Sequence, residues 1–134
     1  MRVLLIEDDE SIREVLKMVL EAEQALATPD AELVVETAAT GLEALELVTR
    51  VRPDLVLLDL TLNGEDGFEV FKALRSAPGC ADLVCIAVTA HNLWEFEVQA
   101  KSAGFAGFIT KPIDFERSLF PLMRRLLAKS DQAA

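Results

Sequence analysis

Five short apolar runs, separated by segments with helical spacing, constrain the fold of this chain more than any other feature. The runs cover residues 3–6, 33–35, 55–58, 84–88 and 105–109, and they are apolar on successive residues. Runs of this kind are typical of strands that are covered on both faces. The segments between them carry apolar residues three and four positions apart, which predicts one-sided helices. Five strands alternating with five helices predict an α/β fold with a parallel sheet and helices on both of its faces.

The helical segments carry start signals and one obstacle. Thr40 and Glu43 have the spacing of a capping box, which predicts the start of the second helix. The fourth helix is predicted over 92–103. Pro121 falls inside the last helical stripe, where it would remove a backbone hydrogen bond. Either that helix kinks there, or it begins near Ser118 with Pro121 in its first turn.

Composition and charge narrow the class of protein. The chain has 134 residues, of which 51% are hydrophobic and 27% charged, as expected for one globular domain. We assign residues 1–129 to that domain and expect 130–134 to form a frayed tail. Lys and Arg number 13 against 23 Asp and Glu, so the formal net charge is −10. This balance argues against nucleic acid or an anionic membrane as the main partner.

The N-terminus and the cysteines bear on localisation. Acidic residues follow the first apolar run too early for a signal peptide, and no apolar stretch approaches the length that spans a bilayer. Four residues separate Cys80 from Cys85, which excludes a CxxC redox or zinc pair. Two free thiols fit a reducing compartment. We therefore expect a soluble, cytoplasmic protein.

Polar residues stand where the expected strands end. In parallel sheets of this kind, ligands bind beyond the carboxyl ends of the strands. Taken singly, an acid at such an end is most simply a helix cap or a solvated loop residue. Together, four strand ends deliver carboxylates, a hydroxyl and an ammonium group to one edge of the sheet: Glu7, Asp8, Asp59, Thr89 and Lys111.

Electrostatics indicates what such a cluster needs. Two carboxylates about 4 Å apart repel by roughly 4 kcal/mol at an effective dielectric near 20, so crowded acids take up a proton or bind a cation. Ligands that are all oxygen favour a hard ion such as Mg²⁺. Asp59 ends a fully apolar strand, and beside Mg²⁺ it is a plausible nucleophile towards a phosphoryl group. Lys111 would neutralise charge and Thr89 would donate a hydrogen bond.

Four segments carry a family resemblance that covers nearly the whole chain. In order and spacing they resemble the receiver domain of two-component response regulators, including the single-domain chemotaxis regulators: VLLIEDDE, PDLVLLDLTLNGEDG, AVTA and AGFAGFITKP. The resemblance implies a flavodoxin-like doubly wound (βα)5 fold, with a five-stranded parallel sheet in the order 2-1-3-4-5.

The resemblance also implies the metal ligands and the phosphoacceptor. Glu7 and Asp8 match the acidic pair that holds Mg²⁺, directly or through water. Asp59 matches the phosphoacceptor, which shares that metal. Thr61 matches the position whose backbone carbonyl also binds it.

Further matches concern the phosphoryl group and the response to it. Thr89 and Lys111 match the residues that contact the phosphoryl group, and Lys111–Pro112 matches the family's cis peptide. Thr89 and Phe108 match the switch pair that rearranges on activation. Without the resemblance, Phe108 would be read as an ordinary core aromatic.

Two positions, Asn63 and Pro121, depart from the family's usual pattern, and two others, His91 and Thr61, bear on hydrolysis. Asn63 stands four residues after the expected phosphoacceptor, where the family usually has proline, so we expect a more mobile loop with its chemistry retained. Pro121 lies in the helix that many receivers use for partner binding. His91 and Thr61 match positions that flank the path of the hydrolytic water. His91 is therefore expected to adjust the lifetime of the phosphoryl group, simple surface placement being the alternative.

The leading hypothesis is a signalling switch or phosphorelay intermediate. A sensor histidine kinase or a histidine phosphotransfer protein would phosphorylate Asp59, and the last two helices with the fifth strand would contact a downstream protein. The chain would catalyse its own phosphorylation and dephosphorylation without being a turnover enzyme. Because Leu93, Trp94, Phe96 and Val98 crowd one short helix, at least one of them should be exposed, either as a partner site or as a half-covered core residue.

Two alternatives come from other functional classes. The first is a Mg²⁺-dependent phosphatase with an aspartyl nucleophile of the haloacid dehalogenase type. That pattern wants a second Asp where this chain has Thr61. The second is a receiver-like binding module that is never phosphorylated, against which the complete set of polar residues at the strand ends speaks.

Overall fold

Strands and helices alternate along the chain in the computed structural model, which describes residues 1–23, 32–62, 64–91 and 94–133. The strands are β1 (Arg2–Ile6), β2 (Val34–Ala38), β3 (Leu55–Asp59), β4 (Thr61–Leu62), β5 (Glu65–Asp66), β6 (Cys85–Thr89) and β7 (Gly107–Thr110). The α-helices are α1 (Glu10–Ala22), α2 (Gly41–Val51), α3 (Gly67–Ser76), α4 (Trp94–Ala103) and α5 (Phe120–Ala133). None of the helices in these ranges has the length and apolarity needed to cross a membrane.

Five of the strands form one parallel sheet in the order β2-β1-β3-β6-β7. Counted along the five main strands, this is the order 2-1-3-4-5, so the expected doubly wound fold is confirmed. The sequence did not predict the antiparallel hairpin of β4 and β5, which pairs Thr61 with Asp66 and Leu62 with Glu65. It lies in the connection that follows β3, where a loop was expected.

The sheet divides the core into two hydrophobic clusters. Leu4 and Leu58 face α2, α3 and α4, whereas Leu5 and Leu57 face α1 and α5. Alternate residues of a strand point to opposite faces, so a strand with helices on both faces must be apolar at every position. This explains the runs of successive apolar residues that mark β1, β3 and β6 in the sequence.

Polar side chains cap the helix N-termini. The side chain of Asp9 accepts a hydrogen bond from the Ile12 N–H at 3.1 Å at the start of α1. At α2, Thr40 Oγ1 accepts from the Glu43 N–H at 3.1 Å, while Glu43 Oε2 accepts from the Ala39 N–H at 2.8 Å. The capping box is therefore confirmed, with its return bond one residue earlier than the usual pattern.

The last helix resolves the position of Pro121. A π-helical turn, Phe115–Leu119, precedes α5, and Pro121 is the second residue of α5. The proline therefore lies in the first turn of α5, as the second alternative has it, but the helical backbone already begins at Phe115 in the π-helical turn and not near Ser118. Helix α5 continues to Ala133, so it includes most of the segment 130–134 that was expected to be a tail. Residues 92 and 93, the expected start of the fourth helix, and Asn63 lie outside the described residues.

Candidate functional site

The carboxyl ends of β1 and β3 bring two acids together in the middle of the sheet. The parallel register pairs Ile6 with Leu58, so the next residues, Glu7 and Asp59, follow neighbouring strand ends. Both are buried, with 2% and 5% of their surface exposed. Asp8 follows at partial burial, and one oxygen from each of the three carboxylates lies within 4.8 Å of the others.

A lysine from the connection after β7 reaches both buried acids. Lys111 Nζ donates to Asp59 Oδ2 at 2.8 Å and to Glu7 Oε2 at 3.3 Å. Its backbone N–H donates to the carbonyl oxygen of Thr89 at 2.7 Å. The peptide bond between Lys111 and Pro112 is cis, as the sequence resemblance implies. The lysine thus links the ends of β1, β3 and β6.

The three groups have shifted proton affinities. Burial, together with the hydrogen bond and the negative charge of Asp59, raises the pKa of Glu7 to about 7. Burial works in the same direction on Asp59, but hydrogen bonds with Glu7, Lys111 and the Thr61 N–H outweigh it and lower the pKa of that carboxyl. Burial opposes the charge of Lys111, yet its hydrogen bond and attraction to Asp59 raise its pKa. Asp59 is therefore the more readily ionised of the two acids, and Glu7 takes up a proton more easily than an ordinary carboxyl does.

The hairpin after β3 adds a backbone donor to this group. The Thr61 N–H donates to Asp59 Oδ1 at 2.8 Å, so each carboxylate oxygen of Asp59 accepts a hydrogen bond. The side chain of Asp59 is thereby held in one orientation, with its charge stabilised from two sides.

The remaining expected site residues lie around β6 and β7. Thr89 is fully buried, and its Oγ1 accepts a hydrogen bond from the His91 N–H at 3.1 Å. The exposed imidazole of His91 stacks on Phe96, with ring centroids 4.9 Å apart and planes 8° from parallel. Phe108 on β7 is partly buried and packs against the cluster beneath α2, α3 and α4.

The geometry can be set beside known families. A family profile described as the response regulator receiver domain matches residues 3–120. The chain belongs to this family. It is a receiver domain of two-component response regulators, and the sequence prediction of its family is confirmed.

Relatives of this receiver include longer regulators. The DNA-binding dual master transcriptional regulator RpaA of Synechocystis sp. is 33% identical over 131 residues, which are 98% of this chain and 51% of RpaA. The response regulator MprA of Mycobacterium leprae is 36% identical over 136 residues, covering 100% of this chain and 55% of MprA. The chain therefore spans about half the length of these curated relatives.

A solved structure supports the same assignment. The chemotaxis protein CheY4 of Vibrio cholerae superposes on this receiver with a TM-score of 0.71 at 28% identity, over 98% of this chain and 96% of CheY4. Similarity over almost the full length of both chains extends beyond the sheet to the helices on both of its faces.

The acidic cluster of the receiver fits a hard divalent cation. Glu7, Asp8 and Asp59 offer carboxylate oxygens only, and Mg²⁺ prefers such ligands to the nitrogen and sulfur ligands of zinc sites. The cluster can therefore bind a metal ion of this class. Because these three carboxylates lie within 4.8 Å of one another, a bound cation would relieve the repulsion between them.

Sequence reasoning missed one contributor to this cluster. Arg13 lies in the second turn of α1, and its Nη1 donates to the carbonyl oxygen of Glu7 at 2.9 Å and to that of Asp8 at 3.5 Å. A guanidinium group thus holds the backbone that presents both acids. The sequence signal that could have identified Arg13 is its position, since it is a cation on α1 about one helical turn after the acids that follow β1.

Proposed function

We propose that this receiver accepts a phosphoryl group on Asp59 in a Mg²⁺-dependent reaction, and that it acts as a phosphorylation-controlled switch or as a phosphorelay intermediate. The observation that carries the proposal is a buried, ionised Asp59 whose carboxylate lies 2.8 Å from Lys111 Nζ and close to the carboxylates of Glu7 and Asp8. A fixed carboxylate beside a cation site and an ammonium group is suited to attack on phosphorus.

The donor in this proposal is a phosphohistidine on a sensor histidine kinase or a histidine phosphotransfer protein. An Asp59 oxygen attacks the phosphorus in line and forms an acyl phosphate. The phosphorus–nitrogen bond breaks, and its electron pair leaves with the imidazole of the donor. Lys111, already at the carboxylate, neutralises charge on the transferred group.

Three residues would hold the metal ion together with Asp59. Glu7 and Asp8 supply carboxylates, and Thr61 supplies its backbone carbonyl. When bound, Mg²⁺ supplies the neutralisation of phosphoryl charge that alignment alone cannot give. Coordination requires Glu7 in its ionised form, so the proton that this carboxyl holds near neutral pH is released when the metal binds.

The response to phosphorylation follows from the added charge, about two negative units at Asp59. The Thr89 hydroxyl donates to the phosphoryl group, the connection that carries His91 shifts with it, and Phe108 changes rotamer. The face formed by α4, β7 and α5 then presents a different surface to a downstream protein. Trp94 and Val98 on α4 are 69% and 49% exposed, which agrees with the expectation of at least one exposed apolar residue there.

Intact mass after incubation with acetyl phosphate and Mg²⁺ tests the proposal. We expect one base-labile phosphoryl adduct, and we expect Asp59→Asn to show none. Rapid turnover of varied phosphomonoesters would instead favour an aspartyl phosphatase. No adduct on the wild-type protein would favour a binding module that is never phosphorylated.

His91 tests a finer part of the same proposal. The His91 ring stacks on Phe96, and the backbone N–H of His91 donates to the Thr89 hydroxyl. His91 therefore lies beside a group that would contact the phosphoryl oxygens. We expect His91→Ala to change the rate of autodephosphorylation, measured after removal of acetyl phosphate. An unchanged rate would reduce His91 to a surface residue.

A further inference from the structure

Strand β5 of the β4–β5 hairpin is hydrogen-bonded to the start of α2 through Glu65. Both carboxylate oxygens of Glu65 accept a hydrogen bond from the Gly41 N–H, at 3.2 Å for Oε1 and 3.0 Å for Oε2. Gly41 is the first residue of α2. An N–H at this place has no partner within the helix, and a carboxylate there also meets the positive end of the helix dipole.

The contact requires glycine at position 41. A Cβ added to Gly41 would overlap Glu65 Oε2 and would lie 2.9 Å from Val70 Cγ2. The residue is in a helix, where alanine would otherwise be preferred over glycine by about 1 kcal/mol. The absent side chain is thus what allows the carboxylate to approach the helix end.

The hairpin transmits this attachment to the phosphoacceptor. Glu65 on β5 pairs with Leu62 on β4, and the neighbouring pair joins Asp66 to Thr61. The Thr61 N–H in turn donates to Asp59 Oδ1 at 2.8 Å. The pair that contains Glu65 is therefore adjacent to the pair that contains Thr61, whose N–H orients Asp59.

We propose that Glu65 is a positioning residue for the metal and phosphoryl site, acting by holding the β4–β5 hairpin against α2. This inference rests on the proposed function. With the tie in place, the Thr61 N–H stays on Asp59 Oδ1 and the Thr61 carbonyl stays where the metal would meet it. Without the tie, the hairpin moves, and both groups lose their fixed positions.

Mg²⁺ binding to Glu65→Ala is the first test. We expect the dissociation constant for Mg²⁺, measured by isothermal titration calorimetry with MgCl₂, to rise about tenfold, the lower end of the loss when a partner of a metal ligand is removed. Glu65→Gln keeps an acceptor oxygen and should recover most of the affinity. Glu69→Ala removes the same charge from an exposed position in the first turn of α3 and should bind Mg²⁺ as the wild type does.

Gly41→Ala breaks the same contact without changing any charge. It should raise the dissociation constant for Mg²⁺ by a similar factor. The double variant with Glu65→Ala should bind Mg²⁺ no more weakly than either single variant, because the two substitutions remove the same interaction. In the metal-free protein, amide hydrogen exchange at Thr61 should be faster in both variants and unchanged in Glu69→Ala. This readout needs neither metal nor phosphoryl donor.

The outcomes separate this inference from the function on which it rests. If the wild-type protein takes up no phosphoryl group, the proposed function fails, whatever the Glu65 variants do. If the wild type is phosphorylated but Glu65→Ala and Gly41→Ala keep its Mg²⁺ affinity within about twofold and its Thr61 exchange rate, Glu65 has no positioning role. A loss in Glu69→Ala equal to that in Glu65→Ala would also overturn the inference, because charge alone would then explain it.

Discussion

This receiver has a buried group of ion pairs around Lys111 and an exposed ion pair between Lys17 and Glu21, with similar nitrogen–oxygen distances and different surroundings. Lys111 Nζ lies 3.3 Å from Glu7 Oε2 at the ends of the central strands, and Lys17 Nζ lies 3.3 Å from Glu21 Oε2 on α1. The side chains of the first pair are 24% and 3% exposed, and those of the second are 44% and 35% exposed. Distance therefore does not distinguish them.

The exposed pair completes the edge of the sheet. Lys17 Nζ donates to the carbonyl oxygen of Val35 at 2.6 Å, and Glu21 Oε2 accepts from the Val35 N–H at 3.1 Å. Strand β2 is the outermost strand on its side of the sheet, where backbone groups are open to pairing with another chain. Lys17 and Glu21 thus occupy the backbone C=O and N–H of Val35, and their opposite charges cancel.

The buried group differs from this pair because two acids contact one lysine. Asp59 and Glu7 share one ammonium group, that of Lys111, and Asp8 lies beside them. Burial and the neighbouring Asp59 carboxylate raise the pKa of Glu7, although Lys111 contacts both acids and acts in the opposite direction. The comparison teaches that two buried acids around one lysine leave a carboxyl with a raised pKa, whereas the exposed one-to-one pair serves the backbone of β2.

The largest expected effect comes from removing the lysine of the buried group. Lys111→Met removes the ammonium group and keeps the length of the side chain. The rate of phosphorylation by acetyl phosphate should fall about 100-fold, as when one donor to a developing negative charge is lost. Mg²⁺ affinity should rise, because the ion no longer competes with the lysine. Intact mass against time and calorimetry measure the two effects, and a fall in both would mean that Lys111 mainly supports the fold.

The pKa of Glu7 predicts a pH dependence of intermediate size. Below about pH 7, Glu7 holds a proton, so Mg²⁺ affinity should fall as the pH drops, by up to about tenfold per pH unit. Calorimetry in buffers of different ionisation enthalpy measures the proton released on binding. Glu7→Gln should bind Mg²⁺ more weakly, with no such release. If the wild type binds without releasing a proton near neutral pH, Glu7 is already ionised.

The same proton affects the stability of the metal-free protein. Because the pKa of Glu7 is raised from its ordinary value of 4.5 to about 7 in the native state, the native state binds more protons than the unfolded state between these values. The contribution of Glu7 to the free energy of unfolding therefore falls as the pH rises through that range. Denaturant unfolding of wild type and Glu7→Gln across this range measures it, and Mg²⁺ should restore the loss at the upper end.

The smallest expected effect belongs to the balanced pair. Replacing Lys17 and Glu21 together by alanine should lower the free energy of unfolding by only about 1 kcal/mol, as for exposed pairs and their hydrogen bonds. The rate of phosphorylation should not change. Uncovering the edge of β2 should also increase self-association, which sedimentation at rising protein concentration would detect. A large loss of phosphorylation in this variant would contradict the distinction between the two groups.

Much of the site was predictable because it depends on topology. In a parallel sheet, successive strand ends meet at one edge, so Glu7, Asp59 and Lys111 could be grouped from their positions after apolar runs. This grouping follows from the alternation of strands and helices along the chain, and it requires no knowledge of side-chain contacts. The same reasoning gives no distance and no protonation state, since both depend on how deeply each group is buried.

Other features could not be read from spacing. Strand β2 extends to Ala38, beyond the predicted run, because Glu36 and Thr37 continue the pairing with β1. Strands β4 and β5 have two residues each, too few to show a period. The contact of Glu65 with Gly41 spans 24 positions and depends on how a side chain from one connection meets the end of a helix.

The acids and their partners in the site stand on different kinds of structure. Glu7 follows β1 and Asp59 is the last residue of β3, both interior strands of the sheet, whereas Lys111, Thr61 and Glu65 belong to the connections that leave it. With Asp59 phosphorylated as proposed, substitutions in the connections should change the rate of phosphorylation or the lifetime of the phosphoryl group more than they change the sheet that presents the acids.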